Sequence, residues 1–144
     1  MFERILVGFD GSDCAKAALR KAAGLARLTG GEVLVLTVFR HHGLLEGSFS
    51  VARADQGNMD DDSRAYAHDM AAAGKELVQE AGVEKVQAFI KPGAPARTLV
   101  AFSKERRADL FVVGSRGVGS IEQFLLGSVS HKVSGLADCP VLVV

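Results

Sequence analysis

The sequence predicts an α/β fold, a single domain over residues 1–144 built on an open five-stranded parallel sheet with helices on both faces. Three observations predict it. Short, nearly unbroken apolar runs recur along the chain, as strands buried on both faces require. Between them lie longer segments with apolar residues at helical spacing. The length of 144 residues suits one domain, since domains run to roughly 100–200 residues.

Arg4 to Phe9 (Arg-Ile-Leu-Val-Gly-Phe) is the first strand. Asp10-Gly11-Ser12-Asp13 is a turn in which Ser12 or Asp13 can cap the next helix. Over residues 14–28 that helix sets Ala15, Ala18, Leu19, Ala22, Leu25, Ala26 and Leu28 on an apolar face, with Lys16, Arg20, Lys21 and Arg27 mostly opposite. Thr29-Gly30-Gly31 stops it. Glu32 to Phe39 is the second strand. Ser63 to Ala81 is a helix ending at Gly82, Val83 to Ile90 the third strand, and Ala94 to Arg107 a helix opened by Pro92-Gly93-Ala94-Pro95. Asp109 to Val113, Gly127 to Ala137 and Pro140 to Val144 complete the alternation as strand, helix and strand, the pattern of a parallel sheet.

One stretch breaks the rhythm. Arg40 to Asp62 holds Gly43, Gly47, Gly57 and the run Asp60-Asp61-Asp62 with little periodicity, and reads as a mobile surface loop beside the end of the second strand. The three aspartates read as a negative cap on the following helix rather than as a metal site.

Composition narrows the function. With 48% apolar and 24% charged residues the chain is an ordinary globular protein. Seventeen basic and seventeen acidic residues cancel, which removes the electrostatic basis for binding nucleic acid or an anionic membrane. No apolar run approaches the roughly 20 residues of a membrane helix. The N-terminal residues lack the apolar stretch and cleavage site of a signal peptide, so a cytoplasmic setting is expected. Cys14 and Cys139 make no disulfide scaffold and read as packing residues with reduced thiols. His41, His42, His68 and His131 show no metal-ligand spacing, so no metal site is assigned.

In an open parallel sheet, ligands bind beyond the carboxyl ends of the strands, where the strand order reverses. Strand one ends at Asp10-Gly11-Ser12, strand two near Val38-Phe39, and strand four at Gly114-Ser115-Arg116-Gly117. Gly114 and Gly117 stand as Gly-x-x-Gly; nine residues later comes Gly127-Ser128-Val129-Ser130. Glycine lets a backbone approach a bulky anion. Amides of Gly127, Ser128 and Val129 at a helix N-terminus carry positive partial charge, and the hydroxyls of Ser128 and Ser130 can add hydrogen bonds to phosphate. Two such segments meeting at one crevice suggest a phosphate cradle. No Lys precedes Ser128, so this is not a Walker loop, and Lys132 lies one turn too deep to assign.

Gly-x-x-Gly, nine residues, then Gly-Ser resembles the nucleotide motif of the universal stress protein family. Ile5-Leu6-Val7-Gly8-Phe9-Asp10-Gly11-Ser12, Gly93-Ala94-Pro95-Ala96, Ala108-Asp109-Leu110 and the run from Gly127 through Cys139 to Val144 are similar to it as well; the 40–62 stretch has no clear match. The resemblance implies a Rossmann-like sheet of strand order 3-2-1-4-5 and membership of the ATP-binding subgroup, with Mg2+ as a candidate companion. Carried over by position, Asp10 would lie near the ribose or a metal-bridged phosphate, Val38 would offer its backbone to adenine, and Gly114 would sit close to the ribose. Gly117, Gly127, Ser128, Val129 and Ser130 would hold phosphates, and Arg116 would neutralise their charge. The family also implies a homodimer made by the last strand, Pro140 to Val144, an apolar edge of the kind that invites pairing.

The glycine pattern with a weak catalytic complement favours a regulatory or stress-response protein whose nucleotide occupancy alters conformation or partners, with no catalytic residue assigned. The competing readings are a slow ATPase or self-phosphorylating protein, using Ser128, Ser130, Ser48 or Ser50, and a partner-binding protein that recognises its target through the 40–62 stretch. An AMP or ADP ligand stays open beside ATP, because N-terminal amides accept one phosphate or three.

Overall fold

The computed structural model describes residues 1–40, 52–117 and 126–144, with residues 52–60 described by their backbone alone. Along these residues run β1 (Arg4–Gly8), α1 (Asp13–Thr29), β2 (Glu32–Phe39), α2 (Ala52–Glu80), β3 (Val86–Pro92), α3 (Pro95–Glu105), β4 (Leu110–Val113), α4 (Ser128–Leu136) and β5 (Val141–Val143). The strands form one sheet in the order β3-β2-β1-β4-β5, every neighbouring pair parallel. Fold class and strand order are those expected.

The alternation of side chains along a strand explains the apolar runs. Ile5 and Val7 of β1, Val33 and Val35 of β2, and Leu110 and Val112 of β4 pack with α1 and α2 on one face. Leu6, Leu34, Leu36, Phe111 and Val113 pack with α3 and α4 on the other. With both faces covered, both sets of alternate positions are mainly apolar, and the buried Thr37 is hydrogen-bonded. At the amino end of the sheet the Asp109 carboxylate accepts the backbone N–H of Glu3 (2.8 Å) and of Arg4 (3.0 Å), which fixes where β4 enters beside β1.

Order β3-β2-β1-β4-β5 means that the chain builds outward from β1 in one direction and then returns to build outward in the other. The carboxyl ends of β1, β2 and β4 therefore surround the crevice where the connections part.

Two expectations are corrected. The 40–62 stretch is not all loop, because α2 begins at Ala52 and runs unbroken to Glu80. Asp60, Asp61 and Asp62 thus lie well past the first turn, outside the reach of a dipole cap. The segment contains no proline, Ala52-Arg53-Ala54 are good helix formers, and each residue added to an existing helix gains a hydrogen bond without a new nucleation cost. Periodicity missed it because an apolar stripe reports packing, not helicity. Residues 41–51, with His41, His42, Ser48 and Ser50, lie outside the described residues. The second correction concerns Leu28, which is 85% exposed. It lies two residues beyond the buried Ala26, and so about 200° around the helix from the core face. Small shifts of boundary elsewhere, such as β3 starting at Val86 rather than Val83, leave the order of elements unchanged.

Candidate functional site

β1 parts from β2 through a set of local bonds. The Phe9 N–H still donates to the Leu36 carbonyl (2.9 Å), and the buried Thr37 hydroxyl donates to the Phe9 carbonyl (2.9 Å). Beyond Phe9 the chain turns away. The Ser12 N–H donates to the Asp10 carboxylate (2.9 Å), Gly11 takes φ +82°, a left-handed conformation suited to glycine, and the Ser12 hydroxyl accepts the Ala15 N–H (3.2 Å) as the cap of α1. Of the two candidate caps, Ser12 serves.

This departure opens the edge of β2. Leu36 turns its carbonyl toward β1, and strand alternation puts the N–H and C=O of Val38 on the same side two residues later. Phe39, between times, gives its carbonyl to Gly93 N–H on the β3 side (2.9 Å). Val38 thus presents a main-chain donor and acceptor toward the space β1 has left, while its side chain packs into the α3–α4 core.

The glycines at the end of β4 act mainly by letting segments converge. A Cβ on Gly114 would lie 2.8 Å from the carbonyl carbon and Cβ of Cys14 and 2.9 Å from the Ala15 nitrogen. A Cβ on Gly117 would lie 2.9 Å from an Asp10 carboxylate oxygen. On Gly127 it would lie 3.2 Å from the Ser115 carbonyl oxygen and 3.3 Å from the Arg116 Cα. The space that glycine spares is occupied by this chain, so the motif brings β4, α1 and α4 together, and the crevice is what their meeting leaves.

Ser115 joins these segments. Its N–H donates to the Val144 carbonyl (2.7 Å), and its own carbonyl accepts both the Gly127 N–H and the Ser130 hydroxyl, the latter at 3.0 Å. The Ser130 hydroxyl also approaches the Gly127 carbonyl at 3.0 Å. Two of the groups named from the sequence have partners within the protein. The Gly127 amide is used inside the protein, and the hydroxyl of Ser130, a residue 1% exposed, donates to carbonyls. At the helix start, the N-cap Gly127 has no side chain to accept the amides of Ser128, Val129 and Ser130.

All nine residues named from the sequence line one cleft of about 310 Å³ at the carboxyl ends of β1, β2 and β4. Asp10 comes from the β1 turn and Val38 from β2; Gly114, Arg116 and Gly117 follow β4; Gly127, Ser128, Val129 and Ser130 open α4. The volume is within the range of small-molecule sites, roughly 300–1,000 Å³. Residues not anticipated complete the wall. Leu36, Pro95 and Leu99 give the Val38 end an apolar surface, and Arg40 stands at the end of β2. Arg40 had a signal, since the period-two spacing of Leu36 and Val38 continues to it one residue past the end of β2. Pro95 and Leu99 had none, because only the packing of α3 across the sheet brings them there. Among the described lining residues Asp10 is the one acid, and no three His, Cys, Asp or Glu side chains among the described residues gather as a metal site. No helix among them is long and apolar enough to cross a membrane.

The family model for universal stress proteins matches residues 1–144, the whole chain. The chain belongs to the universal stress protein family. Universal stress protein YxiE of Bacillus subtilis (strain 168) is 34% identical over 148 residues, covering 100% of this chain and 99% of its own. The structure of universal stress protein UspA from Lactobacillus plantarum aligns with a TM-score of 0.86 at 25% identity, over 99% of this chain and 97% of that one. The universal stress protein from Archaeoglobus fulgidus, solved in complex with dAMP, aligns with a TM-score of 0.71 at 25% identity, over 99% and 98%.

Proposed function

We propose that this universal stress protein binds an adenine nucleotide in the cleft, ATP with Mg2+ in the first instance, and acts in the cytoplasm as a homodimeric regulatory protein whose occupancy alters its conformation or partners. One observation carries the reading: a single cleft has a main-chain donor and acceptor at Val38, beside apolar walls, at one end and the uncapped start of α4 at the other. Adenine presents an adjacent acceptor and donor, N1 and the N6 amine, that pair with a backbone N–H and C=O. Leu36, Pro95 and Leu99 suit the faces of the base. The amides of Ser128, Val129 and Ser130, with Arg116, suit phosphate. The dAMP complex of the Archaeoglobus relative is consistent with this class of ligand.

The residues present fit a magnesium nucleotide. Mg2+ binds through one or two carboxylates, water and substrate phosphates, and Asp10 supplies a carboxylate beside Gly117 at the phosphate side. The metal would neutralise phosphate charge there. Because Asp10 is the one acid among the described lining residues and already accepts the Ser12 N–H, the arrangement favours holding a nucleotide over activating water to attack it. The dimer would form at β5, an edge strand on which Leu142 is 37% exposed.

Thermal unfolding and calorimetry of nucleotide-free protein test the reading. ATP at a hundred times its dissociation constant should stabilise the fold by about 2.7 kcal/mol. Repeating the titration with a chelator reads the contribution of Mg2+. No shift and no heat at millimolar ATP would refute the proposal.

A further inference from the structure

We infer that Ser130 is a positioning residue of the anion site, which it serves by bracing the two glycine-bearing segments against each other rather than by touching phosphate. The inference rests on the nucleotide reading and names the part of the ligand that Ser130 governs. Ser130 is 1% exposed, and its hydroxyl lies 3.0 Å from two acceptors, the Ser115 carbonyl in segment 114–117 and the Gly127 carbonyl in segment 127–130. The Gly127 N–H donates to that same Ser115 carbonyl. Main chain and side chain thus make a double tie between the end of β4 and the start of α4.

The geometry gives the tie a direction. Reaching back three residues to Gly127 is the bond that a serine or threonine makes within its own helix, so the rotamer is a low-energy one. A hydroxyl has one proton. With that proton shared between two part-buried carbonyls, turning it toward a phosphate would give up the side-chain half of the tie and leave the Gly127 N–H alone to hold the Ser115 carbonyl. The tie sets where the amides of Ser128, Val129 and Ser130 stand in the cleft, and preorganised donors bind an anion without paying to be ordered. Ser134 extends the pattern, its hydroxyl donating to the Ser130 carbonyl at 2.7 Å, one turn along α4. Val38, on β2, is held by other bonds and lies outside the tie.

The effect of Ser130 should therefore depend on whether the ligand carries phosphate. The experiment compares the unaltered chain with Ser130→Ala and Ser130→Thr, using ATP and adenosine as probes, with amide hydrogen exchange on nucleotide-free protein. Ser130→Ala should speed exchange of the Gly127 amide roughly tenfold without nucleotide, the worth of one hydrogen bond, and weaken ATP by a similar factor. Adenosine affinity should change less than about twofold, and threonine, which keeps the bond to the residue three back, should restore both properties. Should the alanine variant not fold, Ser130→Cys keeps the volume with a weak donor and takes its place. Unchanged Gly127 exchange together with weakened ATP would make Ser130 a direct phosphate ligand and overturn the inference. Equal losses for ATP and adenosine would overturn it too, as a general effect on the fold. If the unaltered chain bound neither compound, the nucleotide reading itself would fall, while the exchange rates would still report on the tie.

Discussion

Replacing Gly114 by alanine tests whether β4 and α1 approach each other as closely as the site requires. The added Cβ would sit 2.8 Å from the Cys14 carbonyl carbon and Cβ and 2.9 Å from the Ala15 nitrogen, where carbon atoms prefer about 3.5–4.0 Å. These atoms belong to the first turn of α1, which the Ser12 cap holds in place, so no flexible side-chain tip can yield. Overpacking typically costs about 1–3 kcal/mol, and a clash with backbone belongs at the upper end, near 3. For a chain of this size each kcal/mol lowers the melting temperature by roughly 2–4 °C, so Gly114→Ala should melt roughly 6–12 °C below the unaltered chain. Gly24→Ala is the control. Gly24 lies inside α1 with nothing within 4 Å of a new Cβ, and the change should stabilise the helix by about 0.5–1 kcal/mol, a rise of a few degrees. Scanning calorimetry of both variants reads the difference. A Gly114→Ala protein melting within about 1 °C of the unaltered chain would refute the close approach and, with it, the account of the motif as a meeting of segments.

Three more outcomes are expected. Arg116→Ala should weaken ATP roughly tenfold while leaving adenosine nearly unchanged, and should flatten the salt dependence of ATP affinity, as read by calorimetry at two ionic strengths. Thr37→Val removes the donor to the Phe9 carbonyl while keeping the side chain's shape; it should cost about 1–3 kcal/mol in urea unfolding and weaken adenosine, because the parting of β1 from β2 is what exposes Val38. The dimer proposed at β5 predicts a dimeric unaltered chain and a monomeric Leu142→Lys variant in sedimentation velocity, with the circular dichroism spectrum preserved; a monomeric unaltered chain, or a variant that stays dimeric, would refute it.

Much of the fold was legible because it is written in local patterns. Unbroken runs such as Glu32 to Phe39 read as strands buried on both faces, and Ala15, Ala18, Leu19 and Ala22 gave the inward stripe of α1. The α2 start at Ala52 escaped that logic because periodicity records which residues pack, and a helix can extend past the part that shows a clear stripe. Leu28 misled for a related reason: leucine suggests burial by type, but its angle about the helix decides.

The candidate site divides in the same way. Residue types and spacing alone sufficed to place Asp10, Val38, the 114–117 segment and the 127–130 segment at the same end of the sheet, since each follows the carboxyl end of a strand or opens the helix beyond it. Only the tertiary structure decided how each group is used. Gly127 N–H and the Ser130 hydroxyl both turn to Ser115, Gly114 makes room for Cys14, and Leu99 reaches the cleft from a helix on another connection. The physical reason is range. Side-chain period and helix capping act over a few residues and survive in the one-dimensional string, whereas a hydrogen-bond acceptor or a steric neighbour is chosen by whichever distant segment the sheet order places alongside.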